Sequence, residues 1–226
     1  SALLIAPIVP GTATVTARAA AGDAGKTASA VFAADELRAR VAALSPSKIT
    51  GLANGTDTVT LTATIDDGRG NPVGAGIVVN WSADRGTIGA SSITNASSQA
   101  TVVLTAPTAT GAATVTAKCA PARQAKSAGG DPGKTAAIDF IADASSAHVI
   151  ELAAGKTDAV ANGADTVTLR AVVVDRQGNP VGAGVTVNWS TSLGQLQTAT
   201  TTDSKSETTA VLIAPTSTGV ATVTAK

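Results

Sequence analysis

The chain repeats itself at a spacing of 108 residues, the distance from Trp81 to Trp189, and this repeat limits the fold more than any other feature. Residues 53–118 align with residues 161–226 without a gap, and 38 of the 66 positions are identical. A further partial copy at residues 3–18 aligns with residues 103–118. Because a fixed period is typical of repeat architectures, each copy is expected to form one structural unit.

Alternating residues within each copy predict strands. In the stretch DTVTLTATI, residues 57–65, Val59 and Leu61 share one face of the predicted strand and threonines occupy the other. The stretch IVVNWS, residues 77–82, places Val79 and Trp81 together, and a turn rich in Gly, Asn and Pro separates the two strands. No window has sustained helical periodicity, so the sequence predicts an all-β sandwich. The predicted core consists of Val59, Leu61, Val79 and Trp81 in one copy and Val167, Leu169, Val187 and Trp189 in the other.

Composition excludes two classes of partner. The chain carries 16 basic and 16 acidic residues, and charged residues make up only 14% of the sequence. Nucleic-acid binding and adhesion to an anionic membrane both need a basic surface, which this sequence does not predict. No stretch has the 18 or more consecutive apolar residues that a membrane-spanning helix would require, so no direct membrane insertion is expected.

The ordered motifs resemble a known family. They are A-N-G-x-D-T-V-T-L, then D-x-x-G-N-P-V, W-S, A-P-T-x-T-G-x-x-T-V-T-A and a closing K-T-A-x-x-x-F-x-A-D. Together they are similar to the group 1 bacterial Ig-like domain of the intimin and invasin adhesins and related inverse autotransporters. The resemblance covers nearly all of the chain and implies tandem immunoglobulin-like β-sandwiches in a linear array. In ordinary immunoglobulin domains a Trp packs on a disulfide, whereas Trp81 and Trp189 would hold that place without one.

The resemblance also implies domain boundaries, because the F-x-A-D strand closes a domain in that family. Residues 1–35 are then the C-terminal strands of a preceding repeat, residues 36–143 a complete repeat, and residues 144–226 a repeat without its last strand. Two interpretations follow: the chain is part of a longer array, or the first strands of one molecule complete the last domain of another. The first is favoured, because adjoining copies are the default in a repeat array.

The function implied by the resemblance is a structural stalk or spacer of a bacterial cell-surface adhesin. Its partners would be neighbouring Ig-like repeats of the same or an adjacent chain. A host or bacterial receptor would be bound through other domains, and an outer-membrane anchor would lie in a region not present here. The alternative is a subunit of an extracellular filament that is polymerised by strand donation between chain ends. A module that binds glycan or host protein is disfavoured, because both Trp residues occupy core positions and Tyr is absent.

Neither a nucleotide site nor a metal site is predicted. The triplet Gly133-Lys134-Thr135 has Ala128 where a phosphate-binding loop has its first Gly, and the residues after it predict a strand, so a turn is favoured. Oxygen-bearing residues of the two turns suggest calcium only weakly, at a domain junction, because Asp and Asn beside Gly and Pro are ordinary turn formers. These residues are Asp66, Asp67, Asn71, Asp175 and Asn179, together with Asp35 and Asp143 at the junctions.

No catalytic site and no cofactor is predicted. His148 is the single histidine, and no nucleophile or set of metal ligands is patterned near it, so a solvated position is expected. Cys119 is the single cysteine and is predicted to lie just after a strand, in an inserted loop rich in Ala, Gly and Lys. It is expected to be either a buried small hydrophobic residue, which is favoured, or an exposed thiol that links chains. The sequence therefore indicates a protein that is not an enzyme.

Overall fold

The computed structural model describes residues 2–120 and 130–226, and within these ranges β-strands are the main regular secondary structure. Ser1 and most of the predicted insertion loop therefore lie outside the described residues. Two short 3₁₀ turns occur, at Glu36–Arg38 and Ala144–Ser146. The strands are β1 Gly11–Ala17, β2 Lys26–Phe32, β3 Arg40–Pro46, β4 Thr50–Leu52, β5 Thr58–Asp66, β6 Val78–Ala83, β7 Thr87–Ile88, β8 Ser91–Ile93, β9 Gln99–Thr105, β10 Gly111–Cys119, β11 Lys134–Ile141, β12 His148–Ala154, β13 Thr166–Val174, β14 Thr186–Thr191, β15 Ala199–Thr201, β16 Glu207–Ile213 and β17 Val223–Ala225.

Residue alternation places the core side chains on one face of each strand. Along β5 the side chains of Val59, Leu61, Ala63 and Ile65 are buried, while the residues between them are exposed or partly exposed. Val and Ile favour a pleated, half-buried surface, and Thr on the solvent side keeps that preference without adding an apolar patch. The two-residue period in the sequence thus sets which face of the sheet packs inward.

Two compact units make up the chain. The first comprises Ser1–Ile49, Thr58–Leu104 and Ala113–Ile138, and the second comprises Thr50–Asp57, Thr105–Ala112 and Asp139–Lys226. The sheets that involve β3 to β11 have the strand orders β3-β5-β9-β7 and β4-β11-β10-β6-β8. The sheets of the second unit have the orders β12-β13-β16 and β15-β14-β17. All-β immunoglobulin-like sandwiches are therefore confirmed as the fold class.

The tryptophan of each copy is buried and hydrogen-bonded. Trp81 is 5% exposed, and its indole Nε1 donates to Ser92 Oγ at 2.9 Å. Trp189 is likewise 5% exposed, and its Nε1 donates to Thr200 Oγ1 at 2.7 Å. A hydroxyl on the neighbouring strand thus satisfies the one polar atom of each ring, which allows a large aromatic side chain into the core.

The core of the last repeat is less completely covered than that of the repeat before it. Its buried cluster consists of Leu169, Ala171, Val173, Val187, Trp189, Ala210 and Leu212. Val167, which the sequence places in the core, is only half-buried, whereas its counterpart Val59 is fully buried. The physical reason is local: Val167 lines an open groove on this repeat.

Cys119 is part of a strand, and its predicted position in the inserted loop is wrong. It is the last residue of β10, where it continues the buried series Val115, Ala117 and Cys119. It lies opposite Val79 of β6 in an antiparallel ladder. Its thiol is free and buried, so of the two alternatives drawn from the sequence the structure shows the small hydrophobic residue.

Strands β1 and β2 form a sheet of their own. They pair antiparallel from Gly11 opposite Phe32 to Ala17 opposite Lys26. Apolar side chains on this hairpin remain accessible, with Val15 at 46% and Val31 at 78% exposure. No helix within the described residues has the length and apolar character needed to cross a membrane.

Candidate junction site

The most elaborate polar structure in the molecule is a five-residue turn that occurs once in each copy. We call residues 67–71 and 175–179 the Asp–Asn turns. Each follows a long strand, β5 or β13, and each has a buried Asp at its start and a buried Asn at its end. The residue just before the Asn is a glycine with positive φ, which allows the tight turn. These glycines are Gly70, at 87°, and Gly178, at 86°.

The aspartate closes its own turn with hydrogen bonds. In the first turn Asp67 Oδ1 accepts from the backbone N–H of Arg69 at 2.9 Å and of Asn71 at 3.2 Å. Asp67 Oδ2 accepts from Asn71 Nδ2 at 2.8 Å. A backbone bond from Asp67 N to the carbonyl of Asn71 at 3.1 Å completes the ring. The second turn has the same pattern around Asp175, so the sequence D-x-x-G-N specifies a pre-organised turn.

Each turn also accepts a hydrogen bond from an aspartate that lies 32 positions earlier in the chain. Asp175 Oδ2 accepts from the backbone N–H of Asp143 at 3.1 Å. In the first copy Asp67 Oδ2 accepts from the backbone N–H of Asp35 at 3.5 Å. Asp143 and Asp35 are the caps of the two 3₁₀ turns, where their own carboxylates accept from Ser145 N and Leu37 N.

The asparagine reaches a second segment that lies earlier in the chain. Asn179 Nδ2 donates to the carbonyl oxygen of Thr108 at 2.9 Å, and Asn179 Oδ1 accepts from Thr110 N at 3.3 Å. In the first copy Asn71 Nδ2 donates to the carbonyl oxygen of Ile8 at 2.8 Å. Pro10 occupies the position equivalent to Thr110, and since proline has no N–H, that copy has no equivalent of the second bond.

Burial and hydrogen bonding shift the pKa values of the two turn carboxylates in opposite directions. Burial raises the pKa of Asp67, but hydrogen bonds from the Asn71 side chain and from the backbone N–H groups of Arg69, Asn71 and Asp35 outweigh it and hold this pKa at about 2. The same causes lower the pKa of Asp175 below its ordinary value. Both groups are therefore carboxylates at neutral pH and act as hydrogen-bond acceptors.

Three motifs that are far apart in the sequence thus meet at one place. The A-P-T loop contributes the Thr108 carbonyl, the F-x-A-D ending contributes the Asp143 amide, and the D-x-x-G-N turn contributes Asp175 and Asn179. From the sequence, the Asp and Asn residues are predicted as turn formers or weak calcium ligands, and their role at the junction is not predicted. The Asp and Asn recur at the same spacing in both copies, which marks the turn in the sequence but does not identify its partners.

The remaining sequence candidates make none of the junction hydrogen bonds described above, although Asp66 Oδ1 accepts from Gly68 N of the first turn at 2.8 Å. Asp66 forms an ion pair with Arg40, with Nε and Oδ1 3.1 Å apart. His148 takes the position of Arg40 in the second copy, where it is exposed on β12 opposite Val174. Gly133 N donates to Asp131 Oδ1 at 2.9 Å, and the next residue, Lys134, starts β11, a strand rather than a helix. Within residues 2–120 and 130–226 no group of three His, Cys, Asp or Glu side chains is arranged to hold a metal ion.

Comparison with known proteins identifies the family. The model of the bacterial Ig-like domain (group 1) matches residues 41–141 and again residues 149–226. The chain belongs to this family. Both matched segments contain an Asp–Asn turn, whereas the partner residues Ile8, Asp35 and Asp143 lie outside them.

Two curated relatives are adhesins of Escherichia coli. The inverse autotransporter adhesin YeeJ of strain K12 is 36% identical over 178 residues, which are 76% of this chain and 7% of that protein. Intimin of strain O111:H- is 35% identical over 161 residues, which are 68% of this chain and 16% of that protein. The chain therefore corresponds to a small part of each relative.

A solved structure supports the same fold. The crystal structure of invasin, described as a bacterial integrin-binding protein, matches with a TM-score of 0.61 and 21% identity. The match covers 96% of this chain and 42% of that chain. At this identity the likeness concerns the fold, and it agrees with the immunoglobulin-like sandwich expected from the sequence.

Proposed function

We propose that this chain is a stalk segment of a bacterial cell-surface adhesin, and that its function is mechanical. The observation that carries the proposal is the repeated junction: each Asp–Asn turn binds both the end of the preceding repeat and a loop of that repeat. Three hydrogen bonds link the second turn to the preceding repeat, through Asp143, Thr108 and Thr110. Directional hydrogen bonds of this kind hold the turn against its partner segment, which a flexible linker would not do.

The adhesins among the relatives support surface display. YeeJ and intimin are adhesins that are much longer than the part this chain matches. A segment that corresponds to 7% or 16% of such a protein fits the role of spacer, with receptor binding and outer-membrane anchoring supplied elsewhere. We therefore place the chain outside the cell, with neighbouring repeats as its main partners.

The aromatic residues support a spacer rather than a binding module. Trp81, Trp189 and Phe140 are buried, Phe32 is half-buried, and the chain has no Tyr. Glycan and protein recognition sites are usually built around accessible aromatic side chains, and none of the four aromatic residues is fully exposed. No constellation in the described residues suggests a reaction, so the proposed role is not enzymatic.

Replacement of the segment in the complete adhesin tests this function. In one variant the 226 residues are deleted, and in the other they are replaced by unrelated immunoglobulin-like repeats of matched number. Both are displayed on cells, and adhesion to host cells is measured at equal surface expression. A stalk predicts reduced adhesion after deletion and near-normal adhesion after replacement. Equal loss in both variants would show that the segment itself binds the receptor, and the stalk proposal would then be wrong.

A further inference from the structure

The first and last strands of one immunoglobulin-like domain are tied together by a direct strand pair. The first of the two family matches covers residues 41–141, so that domain begins in β3 and ends with the last residue of β11. Strand β4 follows β3 after residues 47–49 and pairs with β11 in parallel, with Gly51 opposite Phe140. A load applied to the two ends of this domain therefore reaches two strands that are neighbours in one sheet.

The parallel arrangement decides how that load acts on the strand pair. Tension pulls β4 toward its N-terminus and β11 toward its C-terminus. Because both strands run in the same direction, these two forces are opposite and lie along the strands. The backbone hydrogen bonds of a parallel pair are evenly spaced along it. They are therefore loaded together in shear, whereas a pair that is peeled from one end breaks its bonds one at a time.

A buried phenyl ring packs on the glycine at the centre of this pair. Phe140 and Gly51 are both buried. A Cβ built on Gly51 would lie 2.7 Å from Phe140 Cε1 and 2.9 Å from its Cδ1, so the glycine leaves the space that the ring occupies. Sliding of β4 along β11 would move the ring out of this space. Burial of the ring therefore adds to the resistance that the backbone hydrogen bonds provide.

Further hydrogen bonds hold β4 in place. Ala53 N, just after β4, donates to the Ile141 carbonyl oxygen at 2.8 Å. Asp57 Oδ2 accepts from Leu52 N at 2.8 Å, and the Asp57 carbonyl oxygen accepts from Ala106 N at 2.8 Å. Strand β4 is thus bound to β11 and also, through Asp57, to the residues that lead into β5 and out of β9.

Strand β3 is held in the other sheet, and its pairing is less regular. It pairs antiparallel with β5, and the register shifts between Val41 and Ala43. Such a shift disrupts the ladder locally, and the last residue of β3, Pro46, has no N–H to donate. Release of β3 from β5 would leave β4 on β11. Rupture of β4 from β11 is therefore the step that exposes the core beneath Phe140.

We propose that β4 and β11 form a mechanical clamp, the strand pair that resists unfolding when the ends of the domain are pulled apart, and that the Gly51–Phe140 contact maintains it. The inference rests on the proposed stalk function, which supplies the load, and it locates the resistance within the domain. The junction passes load to the same strand, because Asp143, whose N–H donates to Asp175, follows Ile141 by two residues.

Force spectroscopy of the 226-residue chain, held by its two ends at constant force, tests the proposal. Unfolding of residues 40–141 is recognised by its length, because an extended chain spans about 3.3–3.6 Å per residue and the segment 148–225 gives a step about a quarter smaller. Gly51→Ala is expected to unfold at least about tenfold faster than wild type in this step, because forced unfolding follows the unfolding rate and the added methyl group displaces the ring. An unfolding rate equal to that of wild type would overturn the proposal.

The matched control is Val79→Ala. Val79 is fully buried in β6, whose neighbours in the sheet are β10 and β8. Its substitution leaves a cavity and lowers the free energy of unfolding, which urea denaturation measures for both variants. A clamp predicts that Gly51→Ala accelerates unfolding under load more than Val79→Ala does for the same loss of stability. Equal acceleration for equal loss would show that the step reports general stability, and the proposal would be wrong.

A second substitution tests the contact itself. Leucine in place of Phe140 lacks the ring atoms that the added Cβ would touch, so Phe140→Leu in the Gly51→Ala chain is expected to recover part of the lost resistance. A double variant that unfolds as fast as Gly51→Ala would contradict the Gly51–Phe140 contact as the basis of the clamp. If Gly51→Ala shows no step of this length, Phe140→Leu alone replaces it, and the comparison with Val79→Ala decides in the same way.

The clamp and the stalk function fail separately. The force measurement involves no cell and no receptor, so an unchanged unfolding rate in Gly51→Ala would overturn the clamp without affecting the adhesion comparison. Equal loss of adhesion after deletion and after replacement would overturn the stalk function, and the measured unfolding rates would still locate the resistance of the domain.

Discussion

Asn179 donates its side-chain amide to the carbonyl oxygen of Thr108 at 2.9 Å, across 71 positions of sequence. The same Nδ2 donates to Asp175 Oδ2 at 3.0 Å, so one amide group joins a local turn to a distant loop. Asn71 makes the equivalent pair of bonds with Ile8 and Asp67. The junction is therefore a repeated structural element that joins the side chains of an Asp–Asn turn to the backbone of an earlier segment.

Replacement of Asn179 by Ala is expected to destabilise the second unit by about 1–3 kcal/mol. The substitution removes a donor from the buried Asp175 carboxylate and leaves the Thr108 carbonyl without that bond, and unsatisfied buried groups carry a desolvation cost. Asn188→Ala is the matched control, because Asn188 is an exposed residue of β14. Urea denaturation followed by circular dichroism provides the comparison, and equal midpoints for the two variants would contradict the role of Asn179.

Acid is expected to weaken the first junction between about pH 4 and pH 2. The folded pKa of Asp67, about 2, lies below its ordinary value of 3.8. The stabilisation is therefore fully present above pH 4 and is lost as the pH falls toward 2. Asp67→Asn removes this titration, so its stability should fall less steeply over the same interval in thermal melts recorded from pH 6 to pH 2. Parallel curves for the two proteins would exclude Asp67 as a contributor.

The strands with strong alternation were predictable, whereas short strands were not. Strand β5 has a clear period of two, and its buried residues Val59 and Leu61 follow that period. Strand β4 has only three residues, and its parallel partner β11 lies about 90 residues later in the chain. Because nothing local marks such a pairing, the sequence alone does not predict it.

The hydrogen bonds of the junction could not be predicted from the sequence for a different reason. Asp and Asn in a Gly-Pro turn are common for local reasons, since their side chains bond to nearby backbone groups. Asp175 makes those local bonds and also accepts from Asp143 N, 32 positions earlier. Partners of this kind are backbone groups that any residue supplies, so the sequence carries no mark of them. Only the fold brings the carboxylate and the amide together.

The thiol of Cys119 is expected to react slowly in the native protein. Burial, assisted by the charge of Asp131 and a hydrogen bond with it, raises the pKa of Cys119 to about 12. Since the thiolate is the reactive form, its population at pH 8 is small, and access to the sulfur is limited as well. Reaction with a chromogenic disulfide reagent should be at least about a hundredfold slower in the native state than in guanidinium chloride. Similar rates in both would show that the end of β10 opens freely.

Removal of the Trp81 side chain is expected to cost about 3–5 kcal/mol, because the indole fills the core and a cavity would remain. The variant Ser92→Ala separates the hydrogen bond of the Trp81 indole from the packing of its ring. It removes the acceptor of the indole N–H but leaves the ring in place, and is expected to cost about 1 kcal/mol. Trp189→Ala is expected to cost less than Trp81→Ala, because the last repeat has an open groove and its core can relax around the change. Guanidinium denaturation of the three variants measures the order, and a cost for Trp81→Ala no larger than that for Ser92→Ala would show that the ring contributes little to the core.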